Sequence, residues 1–289
     1  MTKQEITELF LRLCHETPGN TVDTEHPDWP DVAGLNMFTE PLIGFADADD
    51  ALFQKYKEPG IVGPWMLTPK EWLPSAATVI SVFMPFTERV KNTNALMDDV
   101  ASHEWAYARI EGQAYLLDCL SALADRFRAN GFEAVMPARD PRLLAITAGR
   151  VSGPGAAYAD TYAPFISGST FSSNWSERHT AFVCGLGTFG MSKGLITKKG
   201  VAGRFGSIIV SERIEPDARP YTEVYEYCTR CGACAHNCPV KAYPAPGELK
   251  DHRLCEPHIT YSKQVLRPRY GCGLCQVNVP CRDGIPGRV

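Results

Sequence analysis

The segment that decides the fold of the carboxy-terminal third reads Cys228-Thr-Arg-Cys231-Gly-Ala-Cys234-Ala-His-Asn-Cys238-Pro239. The four cysteines are separated by two, two and three residues (x2, x2 and x3 spacings), and a proline follows the last one. This pattern is typical of bacterial ferredoxins. In that arrangement three cysteines bind one [4Fe-4S] cluster and the fourth binds a second cluster. The spacing therefore predicts a ferredoxin-like module that transfers single electrons.

Four further cysteines follow this segment and complete two sets of four. They are Cys255, Cys272, Cys275 and Cys281, and the total of eight matches the ligand count of two cubane clusters. Because the fourth ferredoxin cysteine crosses to the other cluster, the first predicted set consists of Cys228, Cys231, Cys234 and Cys281. The second predicted set consists of Cys238, Cys255, Cys272 and Cys275.

Two other interpretations of these cysteines stay open. Four-cysteine zinc sites also use pairs of cysteines two residues apart, so two tetrahedral zinc sites are one alternative. The run of two x2 spacings, an x3 spacing and Cys238-Pro239 nevertheless fits a cubane better than a zinc ribbon. The other alternative is a two-cluster electron carrier without chemistry of its own, which the large segment ahead of the cysteines disfavours.

The remaining sequence is typical of a globular cytoplasmic protein. The 289 residues are 44% hydrophobic, and the first residues alternate charged and apolar side chains at helical spacing. We find no secretion signal, no twin-arginine pair and no apolar run near the roughly 18 residues that span a membrane. We therefore expect reduced thiols, with Cys14, Cys119 and Cys184 as ordinary buried side chains.

Charge is unevenly distributed along the chain. Residues 228–289 contain nine Lys and Arg and four Asp and Glu, whereas the whole chain has a net charge of −4. A basic surface beside an electron-transfer centre can attract an acidic donor such as a ferredoxin or flavodoxin. The same charge is consistent with nucleic-acid binding, or with compensation of thiolate-ligated clusters, and the sequence leaves these uses open.

Two long apolar patterns precede the cysteines. Residues 77–86 form a β-branched apolar run that ends near a proline, which predicts a buried strand. Apolar residues recur at helical spacing from His103 and stop at Asn130-Gly131, which predicts a long amphipathic helix. The remaining predictions in this part are a strand over 132–136, a short helix over 141–147, and a long irregular, functional segment over 16–65.

A glycine-rich segment lies between these patterns and the cysteines. It runs from Glu177 to Gly190 and is followed by a second run, Gly203-Arg-Phe-Gly-Ser207. A lone Gly-x-Gly-x-x-Gly also occurs in nucleotide-binding loops and tight turns, but this one precedes strands and fits a Rossmann fold poorly. The predicted elements are a helix ending at Cys184, a glycine-rich turn, strands over 194–197 and 207–211, and a linker over 213–220.

The glycine-rich and cysteine motifs together resemble a known family. One stretch is similar to the corrinoid-binding core of the epoxyqueuosine reductases. It begins with Glu177-Arg178-His179, leads into Gly185-Leu186-Gly187-Thr188-Phe189-Gly190, and continues with Leu195-Ile196 and Gly203–Ser207. The cysteine block, which ends Tyr270-Gly-Cys-Gly-Leu-Cys-Gln276, is similar to their cluster module. The similarity runs in the same order from about Trp72 to Arg282.

The resemblance, which extends to the reductive dehalogenases, implies an α/β (α+β) fold. It implies a nitroreductase-like corrinoid-binding domain over residues 1–218 and a small ferredoxin-like two-cluster domain over residues 219–289. It also implies base-off cobalamin beside two [4Fe-4S] clusters that deliver electrons to its cobalt. Glycines let the backbone approach a flat macrocycle, and N–H groups at turns can bind amide or phosphate oxygens.

The resemblance also assigns candidate site residues. The corrinoid-contacting candidates are Arg178, Gly185, Leu186, Gly187, Phe189, Gly190, Ser192, Leu195, Ile196, Arg204, Phe205, Gly206 and Ser207. The catalytic candidates are Glu177, His179 and Tyr162. Capping and pairing on a helix is an equally good explanation of Glu177 and His179.

The sequence departs from the family pattern in three places. Phe171–Ser176 contains no carboxylate where the family has an acid thought to protonate the substrate, and the nearest one upstream is Asp160. Five residues separate Cys275 from Cys281, where the family has three. The sequence also stops at Val289, before the helical-repeat tail that helps those enzymes hold tRNA. We therefore expect a short cytoplasmic relative whose substrate the sequence leaves open.

These features predict an oxidoreductase. It would take electrons from a low-potential donor, a ferredoxin or flavodoxin, and reduce a small organic molecule at a bound cobalamin. The alternative is an electron-transfer or corrinoid-reducing protein with no organic substrate of its own. We expect neither a nucleic acid nor a membrane as a partner. A non-redox zinc protein is the third hypothesis.

Overall fold

The computed structural model describes residues 1–147, 150–155 and 171–287. The strands are β1 (Leu42–Asp47), β2 (Thr78–Pro85), β3 (Ala134–Val135), β4 (Ala145–Thr147), β5 (Arg150–Ser152), β6 (Phe171–Ser173), β7 (Gly187–Phe189), β8 (Leu195–Thr197) and β9 (Gly203–Val210). The helices are α1 (Lys3–Glu16), α2 (Ala51–Lys55), α3 (Pro69–Trp72), α4 (Glu88–Asn94), α5 (His103–Ala129), α6 (Glu177–Val183), α7 (Ala233–His236) and α8 (His252–Val265). Short 3-10 segments cover Pro30–Val32, Pro137–Arg139 and Leu274–Gln276.

A four-stranded antiparallel sheet in the order β1-β2-β9-β3 organises the fold. Every residue of β2 is buried, because the strand pairs on both edges and is covered on both faces. Ile80 and Val82 belong to the apolar cluster that contains the α5 side chains. Val79 belongs instead to the cluster that contains Val183 of α6. Alternation along the strand thus supplies one core on each face of the sheet.

Helix α5 covers one face of this sheet, as the helical pattern from His103 predicts. The Ser102 hydroxyl accepts a hydrogen bond from the Trp105 N–H at 3.2 Å, and the helix ends just before Asn130 and Gly131. Its buried leucines, which include Leu120, contact β9. Within the described ranges, neither α5 nor any other helix is long and apolar enough to cross a membrane.

Several local predictions differ from the structure because long-range pairing outweighs local pattern. Residues 16–65 are not uniformly irregular, since they contain β1, which pairs with β2, and α2. The helix predicted over 141–147 is wrong: Ala145–Thr147 is β4, which pairs with β5 and β6. The glycine-rich turn contains β7, which pairs with β8. The predicted strand over 132–136 is confirmed only at Ala134–Val135, and β9 begins earlier than predicted.

The cysteine-rich segment packs directly on the sheet and its helices. The Tyr221 hydroxyl donates to the Phe182 carbonyl at 2.6 Å, and the Val201 N–H donates to the Cys281 carbonyl at 3.0 Å. Leu274 lies in the same apolar cluster as the α5 side chains. Because contacts cross residue 218 in several places, the division into residues 1–218 and 219–289 stays a prediction.

Candidate functional site

The first predicted cysteine set, Cys228, Cys231, Cys234 and Cys281, lines one cavity. Three members lie in or next to α7, and the fourth lies far along the chain. Burial raises the pKa of the Cys281 thiol to about 12, and the neighbouring Cys228, Cys234 and Cys231 thiols add to the shift. The carboxy-terminal segment therefore brings the fourth thiol to this cavity. Cys231 is exposed at the protein surface.

The second predicted cysteine set, Cys238, Cys255, Cys272 and Cys275, lines a separate cavity of about 420 Å³. Burial raises the pKa of the Cys272 thiol to about 12, and a backbone hydrogen bond from Leu274 opposes this shift. The neighbouring Cys275, Cys255 and Cys238 thiols add to it. The Ala242 N–H donates to the Cys238 Sγ at 3.3 Å, and the Lys250 Nζ lies 4.0 Å from the Cys275 Sγ. N–H groups and a cation thus face these sulfurs.

The two cavities divide the eight thiols as ligand crossing predicts. In the described residues, no group of three or more His, Cys, Asp or Glu side chains is arranged to hold a single metal ion. Binding of a four-iron cluster by each set stays a prediction.

A third cavity of about 620 Å³, here called the aromatic cavity, adjoins the second cysteine set. Its aromatic lining residues are Tyr56, Phe171, Phe182, Phe189 and Tyr225. Phe171, Arg178 and His252 line both this cavity and that of the second cysteine set. Small-molecule sites typically measure about 300–1,000 Å³, so the aromatic cavity has the size of a ligand site.

Positive charge dominates the wall of the aromatic cavity. Lys55, Arg178 and Lys193 line it, and the described lining residues include no Asp or Glu. Within the described part of the chain, none of these three side chains forms a hydrogen bond or an ion pair. The cavity therefore presents, beside aromatic rings, cations with which no described carboxylate forms an ion pair.

Two histidines in this wall are neutral at pH 7. Burial lowers the pKa of His179 to about 4, and Arg178 adds to the shift. Burial lowers the pKa of His252 to about 3, and the neighbouring Lys250, Lys193 and Arg178 add to that shift. The His179 Nδ1 lies 2.7 Å from the Ser176 Oγ, so a neighbouring hydroxyl orients the ring.

Three arginines converge between the aromatic cavity and the second cysteine set. Burial lowers the pKa of Arg204, and the nearby Arg109 and Arg178 add to the shift, although arginine keeps its proton at neutral pH. The Arg204 Nε donates to the Gln113 Oε1 at 2.7 Å, and the Arg109 guanidinium lies 4.5 Å from the centre of the Tyr270 ring. The part of the chain that the structure describes offers the buried Arg109 Nε no hydrogen-bond partner. This group favours negative charge at the junction.

Glu177 lies in the first turn of α6, next to Arg178. Burial raises the pKa of its carboxyl from the ordinary 4.5 to about 7. Ser207, Trp175 and the charge of Arg204 lower this pKa, but by less than burial raises it. The Ser207 hydroxyl donates to the Glu177 Oε2 at 2.7 Å and accepts from the Trp175 Nε1 at 2.9 Å. Among the described residues, the buried Oε1 has no hydrogen-bond partner. The carboxyl can therefore hold or release a proton near neutral pH.

The predicted corrinoid-contacting residues occupy five kinds of position. Arg178 and Phe189 line the aromatic cavity, and Arg204 lines the second cysteine cavity. Gly190, Ser192 and Ile196 line the first cysteine cavity. Gly185 forms the turn after α6. The buried remainder consists of Leu186, Gly187, Leu195, Phe205, Gly206 and Ser207.

Two buried glycines in this group serve close packing. A Cβ on Gly206 would lie 2.6 Å from the Leu120 Cδ1, and one on Gly187 would lie 2.0 Å from the Ile196 carbonyl oxygen. These glycines therefore allow contacts of β9 with α5 and of β7 with β8. Contact with a corrinoid stays a prediction. Tyr162 lies outside the described residues.

Sequence reasoning missed several residues of the aromatic cavity. Lys55 and Tyr56 lie at the end of α2, within the long segment over 16–65 that predicts a functional role. Lys193 lies three residues after the glycine-rich segment and has a left-handed conformation with φ 57°. Its closeness to that segment was the available signal. Phe171 and His252 reach the cavity through the fold and have no local signature.

The fold and the cysteine sets define an iron-sulfur class of α/β protein. Residues 221–243 match the family described as the 4Fe-4S binding domain. The matched segment contains the first four clustered cysteines, Cys228 to Cys238. The chain therefore carries a ferredoxin-like 4Fe-4S binding domain near its carboxy terminus.

Solved structures identify the larger fold. The epoxyqueuosine reductase from Streptococcus thermophilus aligns with a TM-score of 0.52 and 18% identity, over 99% of this chain and 68% of that one. An epoxyqueuosine reductase solved with a modified tRNA-Tyr stem loop aligns with a TM-score of 0.50 and 18% identity, over 97% of this chain and 67% of that one. A catabolic reductive dehalogenase aligns with a TM-score of 0.47 and 12% identity, over 98% of this chain and 37% of that one. No curated protein sequence matches the chain.

The chain thus has the fold of the epoxyqueuosine reductases. The predicted α/β fold with a ferredoxin-like segment is confirmed, and so is the resemblance in fold that the motifs indicate.

Proposed function

We propose that the chain is an iron-sulfur oxidoreductase. Electrons from a ferredoxin or flavodoxin would pass through two [4Fe-4S] clusters to the aromatic cavity, where a small organic substrate is reduced with the help of bound cobalamin. The observation that carries the proposal is the shared wall of Phe171, Arg178 and His252, which joins the second cysteine set to the aromatic cavity. A reductant and a ligand would therefore be neighbours.

The two cysteine sets support a direction of electron flow. The first set includes the exposed Cys231, and the exposed Arg230 beside it suits docking of an acidic donor. The second set adjoins the aromatic cavity. Electrons would therefore enter at the first set and leave from the second.

The walls of the aromatic cavity fit a ligand that combines apolar faces, polar edges and negative charge, as a corrinoid does. Phe182, Phe189 and Tyr56 would contact apolar faces, and Arg178 and Lys193 would bind phosphate or amide oxygens. Bound cobalamin would supply the reduction chemistry that a one-electron cluster lacks. The protein's own part is to position the ligand and exclude water.

Glu177 is the candidate proton reservoir. With a pKa of about 7 it is half protonated near neutral pH, and its neighbour Arg178 lines the aromatic cavity. It takes this role in the absence of a carboxylate in Phe171–Ser176. A bound corrinoid would take up the cavity of about 620 Å³ and leave room beside it only for a small substrate. We therefore propose a small-molecule substrate in place of the tRNA bound by the reductase described above.

The test is anaerobic reconstitution of the full chain with iron, sulfide and hydroxocobalamin. We expect about one corrinoid to be retained per chain after desalting, and its absorption bands to change when a reduced ferredoxin is added. Failure to retain any corrinoid would overturn the cobalamin part. Reduction of cobalamin on a partner protein, without retention by this chain, would favour the electron-transfer alternative.

A further inference from the structure

We propose that the aromatic cavity binds an organic anion, a carboxylate or phosphate on an apolar body, whose charge pairs with Arg178 and Lys193. The inference rests on the proposed function in that it names the class of molecule held at the same site.

The charges of the cavity wall are the first argument. Arg178 and Lys193 form no side-chain hydrogen bond or ion pair within the described residues, and the described lining contains no carboxylate. Cys275 attracts Arg178 and Asp251 attracts Lys193, but neither is hydrogen-bonded to its cation, so charge-assisted hydrogen bonds to a carboxylate or phosphate would compensate the desolvation of both side chains. The two wall histidines are neutral, so the positive charge belongs to Arg178, Lys193 and the more exposed Lys55.

The second cysteine set does not account for all of this charge. Lys250 lies 4.0 Å from the Cys275 Sγ, and Arg109 and Arg204 line that cavity, so the set already has cations of its own. Lys193 lines the aromatic cavity and is not among the residues that line the second cysteine cavity. Lys250 and Asp251 act on the Lys193 charge with opposite effects, and the Lys193 side chain remains available to a ligand in the aromatic cavity.

The rest of the wall selects for an apolar body. Besides the aromatic rings, Leu52, Ile61 and Val62 line the cavity. Arg178 lies where the aromatic cavity meets the second cysteine cavity. The charged end of the ligand would therefore point toward the second cysteine set, with the apolar part along the aromatic rings.

Such an anion could be a free substrate or the phosphate in the nucleotide tail of cobalamin. The chemistry of recognition is the same, so binding experiments need an arm for each source. Benzoate and phenyl phosphate represent a free anion, and benzamide is the neutral match. Cobinamide lacks the whole nucleotide tail of cobalamin, including the phosphate, and is the control for that tail.

The experiment measures binding to the anaerobically purified full chain by calorimetry, for the wild type and for Arg178→Gln, Lys193→Gln and Lys198→Gln. Lys198 is exposed and is not among the residues lining the aromatic cavity, so it controls for a general loss of positive charge. Thermal melts identify a variant that does not fold. If either Arg178→Gln or Lys193→Gln fails to fold, the other still tests the proposal.

We expect an anion to bind about tenfold or more tightly than its neutral match, because a charge-assisted pair is gained. Arg178→Gln and Lys193→Gln should remove this preference, whereas Lys198→Gln should keep it. Loss confined to benzoate and phenyl phosphate identifies a free anion, and loss confined to cobalamin identifies its phosphate. Equal binding of charged and neutral partners in both arms, or a preference that survives both cavity variants, would overturn the proposal. Anion binding without any corrinoid retention would leave the inference intact and reject the cobalamin part of the proposed function.

Discussion

The buried carboxyl of Glu177 shows how one residue can acquire a functional pKa from its surroundings. Its sequence context suits a helix-capping or pairing role equally well. The structure instead places it against Ser207 and close to Arg204, and one carboxyl oxygen has no hydrogen-bond partner within the described ranges. No local pattern reveals this burial, because Ser207 belongs to β9, thirty positions along the chain.

Glu177→Gln should change how stability depends on pH. The folded carboxyl has a pKa of about 7 and the unfolded one about 4.5, so the folded protein binds the extra proton between these values. The wild type should therefore lose stability relative to the variant as pH rises from about 4.5 to about 7, by on the order of 3 kcal/mol. Urea unfolding at several pH values measures the difference.

The matched control is Glu215→Gln, which removes an exposed carboxylate near the end of the same sheet region. Its stability difference from the wild type should be flat over this pH range. A flat difference for Glu177→Gln as well would show that the Glu177 carboxyl titrates normally.

At the scale of elements, the turn after β8 holds the segment that carries Cys281. Gly200 has φ 82°, and a Cβ there would lie 1.9 Å from the Arg282 carbonyl oxygen. Its neighbour Val201 donates to the Cys281 carbonyl. The close approach of these two backbones positions the fourth thiol of the first set.

Gly200→Ala should destabilise the protein more than Gly247→Ala. Both glycines have φ near 80°, but a Cβ on Gly247 meets nothing within 4 Å. Gly247→Ala should cost about 1–2 kcal/mol from the left-handed conformation alone. Gly200→Ala should cost a further 1–3 kcal/mol or so from the overlap. Chemical denaturation measures both, and equal costs would mean that the backbone contact with Arg282 is not tight.

Ligand crossing between elements makes a separate prediction. Cys281→Ser should perturb the same cluster signal in electron paramagnetic resonance as Cys228→Ser, although the two cysteines are far apart in the sequence. Cys272→Ser should perturb the other signal, because its thiol lies with Cys275, Cys255 and Cys238.

The control for this series is Cys14→Ser, since Cys14 contacts Cys119 and lies outside both cysteine sets. It should keep the iron content and both signals of the wild type. If Cys281→Ser and Cys272→Ser perturb one and the same signal, the crossed assignment is wrong.

Across the whole molecule, the predictable features were those with a local pattern. The apolar run of β2 and the helical period of α5 are visible in the sequence, and spacing alone groups the eight cysteines as the two cavities do. Strand β1 was missed, because its apolar run is short and interrupted by Gly44, and pairing with the distant β2 makes it a strand. The helix predicted over 141–147 failed for the same reason.

The aromatic cavity lay beyond sequence reasoning for a related reason. Lys55, Phe171, Lys193 and His252 come from four distant segments, and only the assembled fold brings them to one wall. What the sequence does contain is the motif around Arg178 and Phe189, which forms one side of this cavity.

The most direct test of the two-cluster claim is elemental and spectroscopic analysis of the full chain purified without oxygen. We expect about eight iron and eight acid-labile sulfide per chain, with Mössbauer spectra of two [4Fe-4S] clusters, because each cysteine set would hold one cubane. Two zinc ions without sulfide, or a single cluster of four irons with one cysteine set free, would contradict it.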